Sequence, residues 1–169
     1  MEQNIVIRPM EGRDVEVICQ EEQAQGWHPE PEKYRMRLAH MAEGKSFAWV
    51  AEYRGEVAGY NNLYLSVKNG PFAGKGIPEV VDLGVFERFR NRGIGGTLMD
   101  AAEEKAREFS EEICIGVGLH SGYGSAQRMY VKRGYVPDGS GVWYRDKVCP
   151  EYTPCMNDDH LILYLSKKL

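Results

Sequence analysis

Much is missing from this chain of 169 residues, and each absence excludes a class of function. No apolar run approaches bilayer-spanning length, so a membrane partner is not expected. The opening residues, MEQNIVIRPME, lack a basic stretch followed by an apolar core; no secretion signal is read there, and the expected location is cytoplasmic. Cysteines are few and scattered (Cys19, Cys114, Cys149 and Cys155), which excludes a disulfide framework and points to reduced thiols. Cys149 and Cys155 have Asp158, Asp159 and His160 nearby, but their spacing fits no common zinc motif, and no metal is expected. Excess positive charge is absent too. Against 25 Asp and Glu there are 21 Lys and Arg, a net charge of −4, which disfavours nucleic acid and suits a cationic, amine-bearing partner. Repeats, low-complexity tracts and linkers are lacking, so the length reads as one domain, 1–169.

Two nucleotide fingerprints are also absent. A dinucleotide GxGxxG would need glycine where Leu98 stands. The Gly74-Lys75-Gly76 segment has neither the upstream glycine nor the hydroxyl residue of a Walker A loop.

What is present centres on Glu79 to Glu104. An apolar run, Val80 to Val85, reads as a largely buried strand. Charged residues, Glu87 to Arg92, connect it to Gly93-Ile94-Gly95-Gly96-Thr97, where apolar residues begin to recur at helical spacing (Leu98, Ala101, Ala102, Ala106). The first turn of a helix has N–H groups without intrahelical partners and favours negative charge. Glycines let the backbone approach a ligand closely. Strand, glycine-rich turn and helix in that order predict a pyrophosphate clamp.

Around it the chain alternates in type. Ile5 to Arg8 reads as a strand, Glu11 to Gln25 as a helix ended by Gly26, and Pro31 as the start of a second helix running to Gly44. Phe47 to Tyr53 and Val57 to Val67 form an expected hairpin around Arg54-Gly55-Glu56. Asn69 to Pro78 is a glycine- and proline-rich excursion, either a cover over a pocket or a plain loop. Ile113 to Leu119 is a strand and Ser125 to Arg133 a helix. Then come Tyr135-Val136, an expected turn at Pro137 to Gly141, Val142 to Tyr144, an irregular stretch Arg145 to Asp158, and a closing strand Leu161 to Leu165. The order predicts an α/β domain on a mixed, mostly antiparallel sheet.

Arg90-x-x-Gly93-x-Gly95 between a strand and a helix resembles the acetyl-coenzyme A loop of the GCN5-related N-acetyltransferases (GNAT). Ala126-Gln127-Arg128-Met129-Tyr130-Val131-Lys132-Arg133-Gly134-Tyr135 is similar to that family's AxxLYxKxGF segment, with Met129 for Leu and Tyr135 for Phe. With Asp82-Leu83-x-Val85, the likeness covers Glu79 to Tyr135. It departs at Tyr123, where the family often has an asparagine, so an asparagine contact to the pantetheine arm is not expected.

The resemblance implies the acyl-CoA N-acyltransferase fold, with fourth and fifth strands splayed around the cofactor arm and helices on both faces. It implies acetyl-CoA as co-substrate, with backbone of Leu83, Gly84 and Val85 along the arm and the Arg90, Asn91, Arg92, Gly93, Ile94, Gly95, Gly96 and Thr97 loop on the pyrophosphate. The arginine side chains either assist or are solvated. Ala126 and Tyr130 complete the implied cofactor contacts. Tyr130 matches the family's general acid; its other reading is a hydroxyl that only positions the sulfur. Glu79 stands where histone-acetylating members place their general base, or is a solvated carboxylate at a strand start. Asp82 is the second candidate base; three residues on, it faces the other way unless a bulge intervenes. Trp27, His28, Tyr60, Tyr123 and Trp143 are expected to bind the acceptor, or else to fill the core. The implied function is direct transfer of acetyl to a primary amine of a small molecule, peptide or protein. The competing function is a non-catalytic acyl-CoA-binding sensor or interaction module. A homodimer is one option for assembly.

Overall fold

The computed structural model describes residues 4–169 as a mixed α/β fold on an eight-stranded, mostly antiparallel sheet. The elements are β1 (Ile5–Pro9), α1 (Asp14–Ala24), α2 (Pro31–Ala42), β2 (Ser46–Tyr53), β3 (Glu56–Tyr64), β4 (Glu79–Val85), α3 (Ile94–Ala106), β5 (Glu112–Gly118), α4 (Gly124–Lys132), β6 (Val136–Tyr144), β7 (Lys147–Val148) and β8 (Leu161–Lys168). The chain forms two compact units, one of residues up to Tyr64 with Val81–Lys105, the other of Leu65–Val80 with Ala106–Leu169.

In the first unit the strand order is β1-β2-β3-β4. The β2–β3 hairpin closes on two residues, Arg54 and Gly55, both at positive φ (53° and 85°), the turn whose twist matches its strands. Pro31 starts α2, where its missing N–H would have no helical partner anyway. Arg8 clamps Asp14 through two hydrogen bonds of 2.8 and 2.7 Å, and Asp14 also accepts from the Glu11 N–H, so β1 sets the start of α1. The core gathers Ile18, Tyr34, Val50, Tyr60, Phe86, Ile94 and Leu98. Gly59 and Gly84 let β3 and β4 close up: a Cβ on Gly59 would lie 2.6 Å from the Gly84 carbonyl oxygen, and one on Gly84 would lie 2.8 Å from the Tyr60 ring.

In the second unit the order is β4-β5-β8-β6-β7. A parallel ladder sets Glu79 opposite Cys114 and Val80 opposite Ile115; β5–β8, β8–β6 and β6–β7 are antiparallel. Two expectations fail here. Pro137 to Gly141 is not a turn between short strands but an irregular insertion inside continuous β6, absorbed by Gly139 and Gly141 at positive φ. The stretch from Arg145 is not wholly irregular either. Arg145 and Asp146 (φ 49° and 65°) form a two-residue turn that folds β7 back onto β6.

Candidate functional site

The loop ahead of α3 is built by positive-φ residues. Asn91 (φ 61°) and Gly93 (φ 80°) reverse the backbone, and the space where a Gly93 Cβ would sit is empty for at least 4 Å. Thr97 donates both its N–H (3.0 Å) and its hydroxyl (3.1 Å) to the Gly93 carbonyl, closing the first turn. Ile94 opens α3, and the start of a helix is where anions are favoured. Among the expected pyrophosphate ligands, Thr97 has its N–H committed inside the helix, and the Arg90 N–H meets the Glu87 carbonyl at 3.2 Å. Arg90 is half exposed, reaching the Val85 carbonyl at 3.4 Å, and Arg92 lies over the Tyr53 ring. Ile94 and Leu98 anchor the helix in the core, and the Asn61 side chain donates to the Leu98 carbonyl at 2.8 Å.

The strand before the loop is not regular. Asp82 sits at φ 60°, a left-handed conformation rare for residues other than glycine, so the alternation of faces breaks there. From Val81 to Val85 every residue is half-buried, although Val81, Leu83 and Val85 are apolar; this strand face is incompletely covered. The Asp82 carboxylate is occupied, with Arg37 at 2.8 Å and Lys33 at 3.2 Å.

The second unit holds the groups with unusual chemistry. Glu79 opens β4 with its carboxyl beside the Cys114 thiol (4.0 Å). Burial, reinforced by the negative charge of Asp146, raises Glu79 to about 7. Cys114 gives its thiol hydrogen to the Pro78 carbonyl at 3.5 Å, and burial pushes that thiol far above its ordinary range. Within the Asn69 to Pro78 excursion, Phe72 packs on Cys114 and Tyr164, with Ile77, Trp143 and Ile162 around them. Gly70 (φ 85°) presses against the Tyr164 ring, where a Cβ would come within 2.9 Å.

Tyr130, on α4, is 4% exposed and edge-on to Tyr135. Burial, then the neighbouring Tyr123, pushes its hydroxyl well above the usual phenol range, so it stays protonated at neutral pH. Its helix is set by Gln127, which donates to the Gly118 carbonyl at 2.9 Å, and Ala126 is half-buried on the same helix. Tyr123 donates to Asp159 at 2.9 Å, and His120 meets the same carboxylate oxygen at 2.7 Å. The other His120 ring nitrogen accepts the Gly122 N–H, so the nitrogen on Asp159 carries the proton in the neutral ring.

The expected acceptor residues are treated unequally. Trp27 (44% exposed) and His28 face solvent, and Trp143 is half-buried, donating from its indole to Ser140 at 2.8 Å. Tyr60 is fully buried; its hydroxyl meets Tyr34 at 3.0 Å and Glu22 at 3.1 Å, so it supports β4 from beneath. Sequence reasoning did not find Asp146, Lys33 or Arg37. Asp146 had a local signal, a two-residue turn between strand-like pairs; the two α2 cations had none, because their partner lies more than forty positions away.

Among the described residues, no group of three or more His, Cys, Asp or Glu could hold a metal ion, and no helix is long and apolar enough to cross a membrane. Comparison with known proteins places these features. Residues 14–135 match the model of the acetyltransferase (GNAT) family. An uncharacterized N-acetyltransferase of Lactobacillus delbrueckii subsp. lactis is 34% identical over 91 residues, covering 53% of this chain and 51% of that protein. This chain thus aligns over about half the length of the curated relative. Among solved structures, Ard1 from Thermoplasma volcanium superposes with a TM-score of 0.71 at 20% identity, covering 98% of each chain. The structure of yncA from Salmonella typhimurium with its cofactor acetyl-CoA gives 0.69 at 15% identity, covering 98% of this chain and 94% of that one. At such identities the structures show a shared fold. The family match spans α1 to the end of α4, taking in the Arg90–Thr97 loop and the Tyr130 helix, and on that ground the chain belongs to the acetyltransferase (GNAT) family.

Proposed function

We propose that this protein is an N-acetyltransferase that moves the acetyl group of acetyl-CoA to a primary amine by direct attack within a ternary complex. The observation that carries the proposal is Glu79, a carboxyl raised to about 7 at the start of β4. A general base works best when its pKa lies near the operating pH. The residues present fit the cofactor. The helix terminus behind the open space at Gly93 suits a pyrophosphate, and the half-buried strand from Val81 to Val85 suits an extended arm.

Acetyl-CoA supplies an activated thioester and a thiol leaving group. Glu79 takes a proton from the acceptor ammonium, whose pKa of about 10 keeps it charged and unreactive until deprotonated. Tyr130, held protonated, gives its hydrogen to the departing thiolate, and the second proton shed by the acylated nitrogen restores its hydroxyl. Backbone of Leu83, Gly84 and Val85 and the Arg90–Thr97 loop orient the co-substrate; positioning of this kind accounts for much of the acceleration in such a transfer. Asp82, neutralised by two cations, is assigned a structural part. The acceptor is a small-molecule, peptide or protein amine, and the net charge of −4 favours a cationic one.

The test is thiol release from acetyl-CoA against a panel of amines that includes polyamines and peptide N-termini. Amine-dependent release is expected for at least one class. Tyr130→Phe should lower kcat by about tenfold or more, with CoA affinity within about twofold of the wild type; an unchanged kcat removes Tyr130 from the chemistry.

A further inference from the structure

Asp82 adopts φ 60° in the middle of β4, a conformation that costs energy for any residue with a Cβ. Asparagine, aspartate and histidine visit it more often than other residues, but in turns rather than in a central strand. Something must hold it. Two cations from α2 converge on this one carboxylate: Arg37 at 2.8 Å and Lys33 at 3.2 Å.

The geometry of the pair is informative. The Arg37 side chain is only 8% exposed, and neither its Nε nor its Nη1 makes an aligned hydrogen bond. The interaction with Asp82 is therefore a charge contact in a poorly solvated place, where an ion pair is strong and an unpaired guanidinium very unfavourable. Removing Asp82 from this position would strand Arg37, so the buried cation holds the carboxylate, and with it the backbone, in place. Lys33, 28% exposed, adds a second tether while its ammonium lies 4.7 Å from the centre of the Tyr34 ring.

The consequence falls on β4. A left-handed residue within a strand bends it and breaks the alternation of faces, so the residues that follow are re-aimed. Beside the kink the Val81 carbonyl accepts from the Asn62 side chain at 3.1 Å, and just past the end of β4 the Phe86 N–H meets the Ala58 carbonyl at 3.0 Å. The residues between, Leu83 to Val85, are the ones assigned above to the co-substrate arm.

We propose that Arg37 and Lys33 are positioning residues: by clamping the Asp82 carboxylate they hold the β4 kink that presents Leu83 to Val85 to the coenzyme A arm. The inference rests on the reading of β4 as the cofactor strand. It assigns no chemistry to Arg37, Lys33 or Asp82, only the maintenance of one backbone conformation.

The test is calorimetric titration of the full chain with coenzyme A, which needs no turnover and no knowledge of the acceptor. Arg37→Met should weaken binding about tenfold, or about 1.4 kcal/mol. Glycine adopts positive φ without a clamp, so adding Asp82→Gly to that variant should return affinity to within about threefold of the wild type. A residue that merely fills space would show no such rescue. Should Arg37→Met fail to fold, Asp82→Ala against Asp82→Gly asks the same question. Both lose the carboxylate, but only alanine resists the conformation, so alanine should bind about tenfold more weakly than glycine. Equal affinities for alanine and glycine, or a folded Arg37→Met that binds like the wild type, overturn the proposal while leaving the acetyl-CoA reading intact. No binding of coenzyme A by the unaltered chain overturns both.

Discussion

On the proposed mechanism, the burial of Glu79 acts in opposite directions on stability and activity. Its carboxyl titrates near 7 in the folded chain, because burial and then Asp146 disfavour the anion; in an unfolded chain a glutamate titrates at about 4.3. Between those values the native state holds a proton that the unfolded state has lost. Stability from this group therefore falls as pH rises through the window, and above about 7 the molecule carries a buried anion. Glu79→Gln never carries that charge. It should melt higher than the wild type at pH 8 and lose the advantage near pH 5, while kcat drops about a hundredfold or more. Melting curves at the two pH values, with steady-state rates, check both halves. Asp146→Asn tests the cause of the shift. Without the neighbouring negative charge Glu79 loses its proton earlier, so the acidic limb of kcat/KM, expected near 7, should move to lower pH. A limb that stays in place means Asp146 does not tune the base. The Cys114 thiol beside Glu79 is the obvious rival nucleophile, but with its pKa pushed far up it is almost wholly protonated and suited to packing.

At the scale of elements, β3 and β4 depend on glycines at their closest approach. A methyl on Gly59 would meet the Gly84 carbonyl oxygen, backbone that cannot swing aside as a side chain can. Gly59→Ala should therefore destabilise the protein by about 1–3 kcal/mol, read as a lower Tm in thermal unfolding; an unchanged Tm would show that the two strands have slack. The same strand pair explains what sequence could reveal. The Arg90–Thr97 loop and the Tyr130 helix were legible because strand, glycine turn and helix follow one another within about twenty residues, as P-loop-like signals do. The course of β6 was not. Pro137-Asp138-Gly139-Ser140-Gly141 has turn composition, yet pairing with β8 on both sides carries the strand through it, with Val136 opposite Ser166 and Val142 opposite Leu163. Tertiary pairing overrode local preference.

For the whole molecule, the α/β class and the element order could be read from alternating periodicity, whereas the partners of its carboxylates could not. Charge patterning along the chain says that Lys33, Arg37, Asp82 and Asp146 exist. It does not say that the first two meet Asp82 or that Asp146 faces Glu79, because those choices are made only when α2 and the β6–β7 turn are placed. Likewise Tyr60, expected at the acceptor, is spent on a buried network with Tyr34 and Glu22, where burial pushes both phenols far up. On the proposed reading, the protein joins two substrates and lets one attack the other without an acyl-enzyme. The most direct measurement is steady-state thiol release with acetyl-CoA and an accepted amine varied against each other. Direct attack in a ternary complex predicts double-reciprocal lines that intersect. Parallel lines, the mark of an acetylated enzyme, or coenzyme A binding with no amine-dependent release across the panel, would contradict the account.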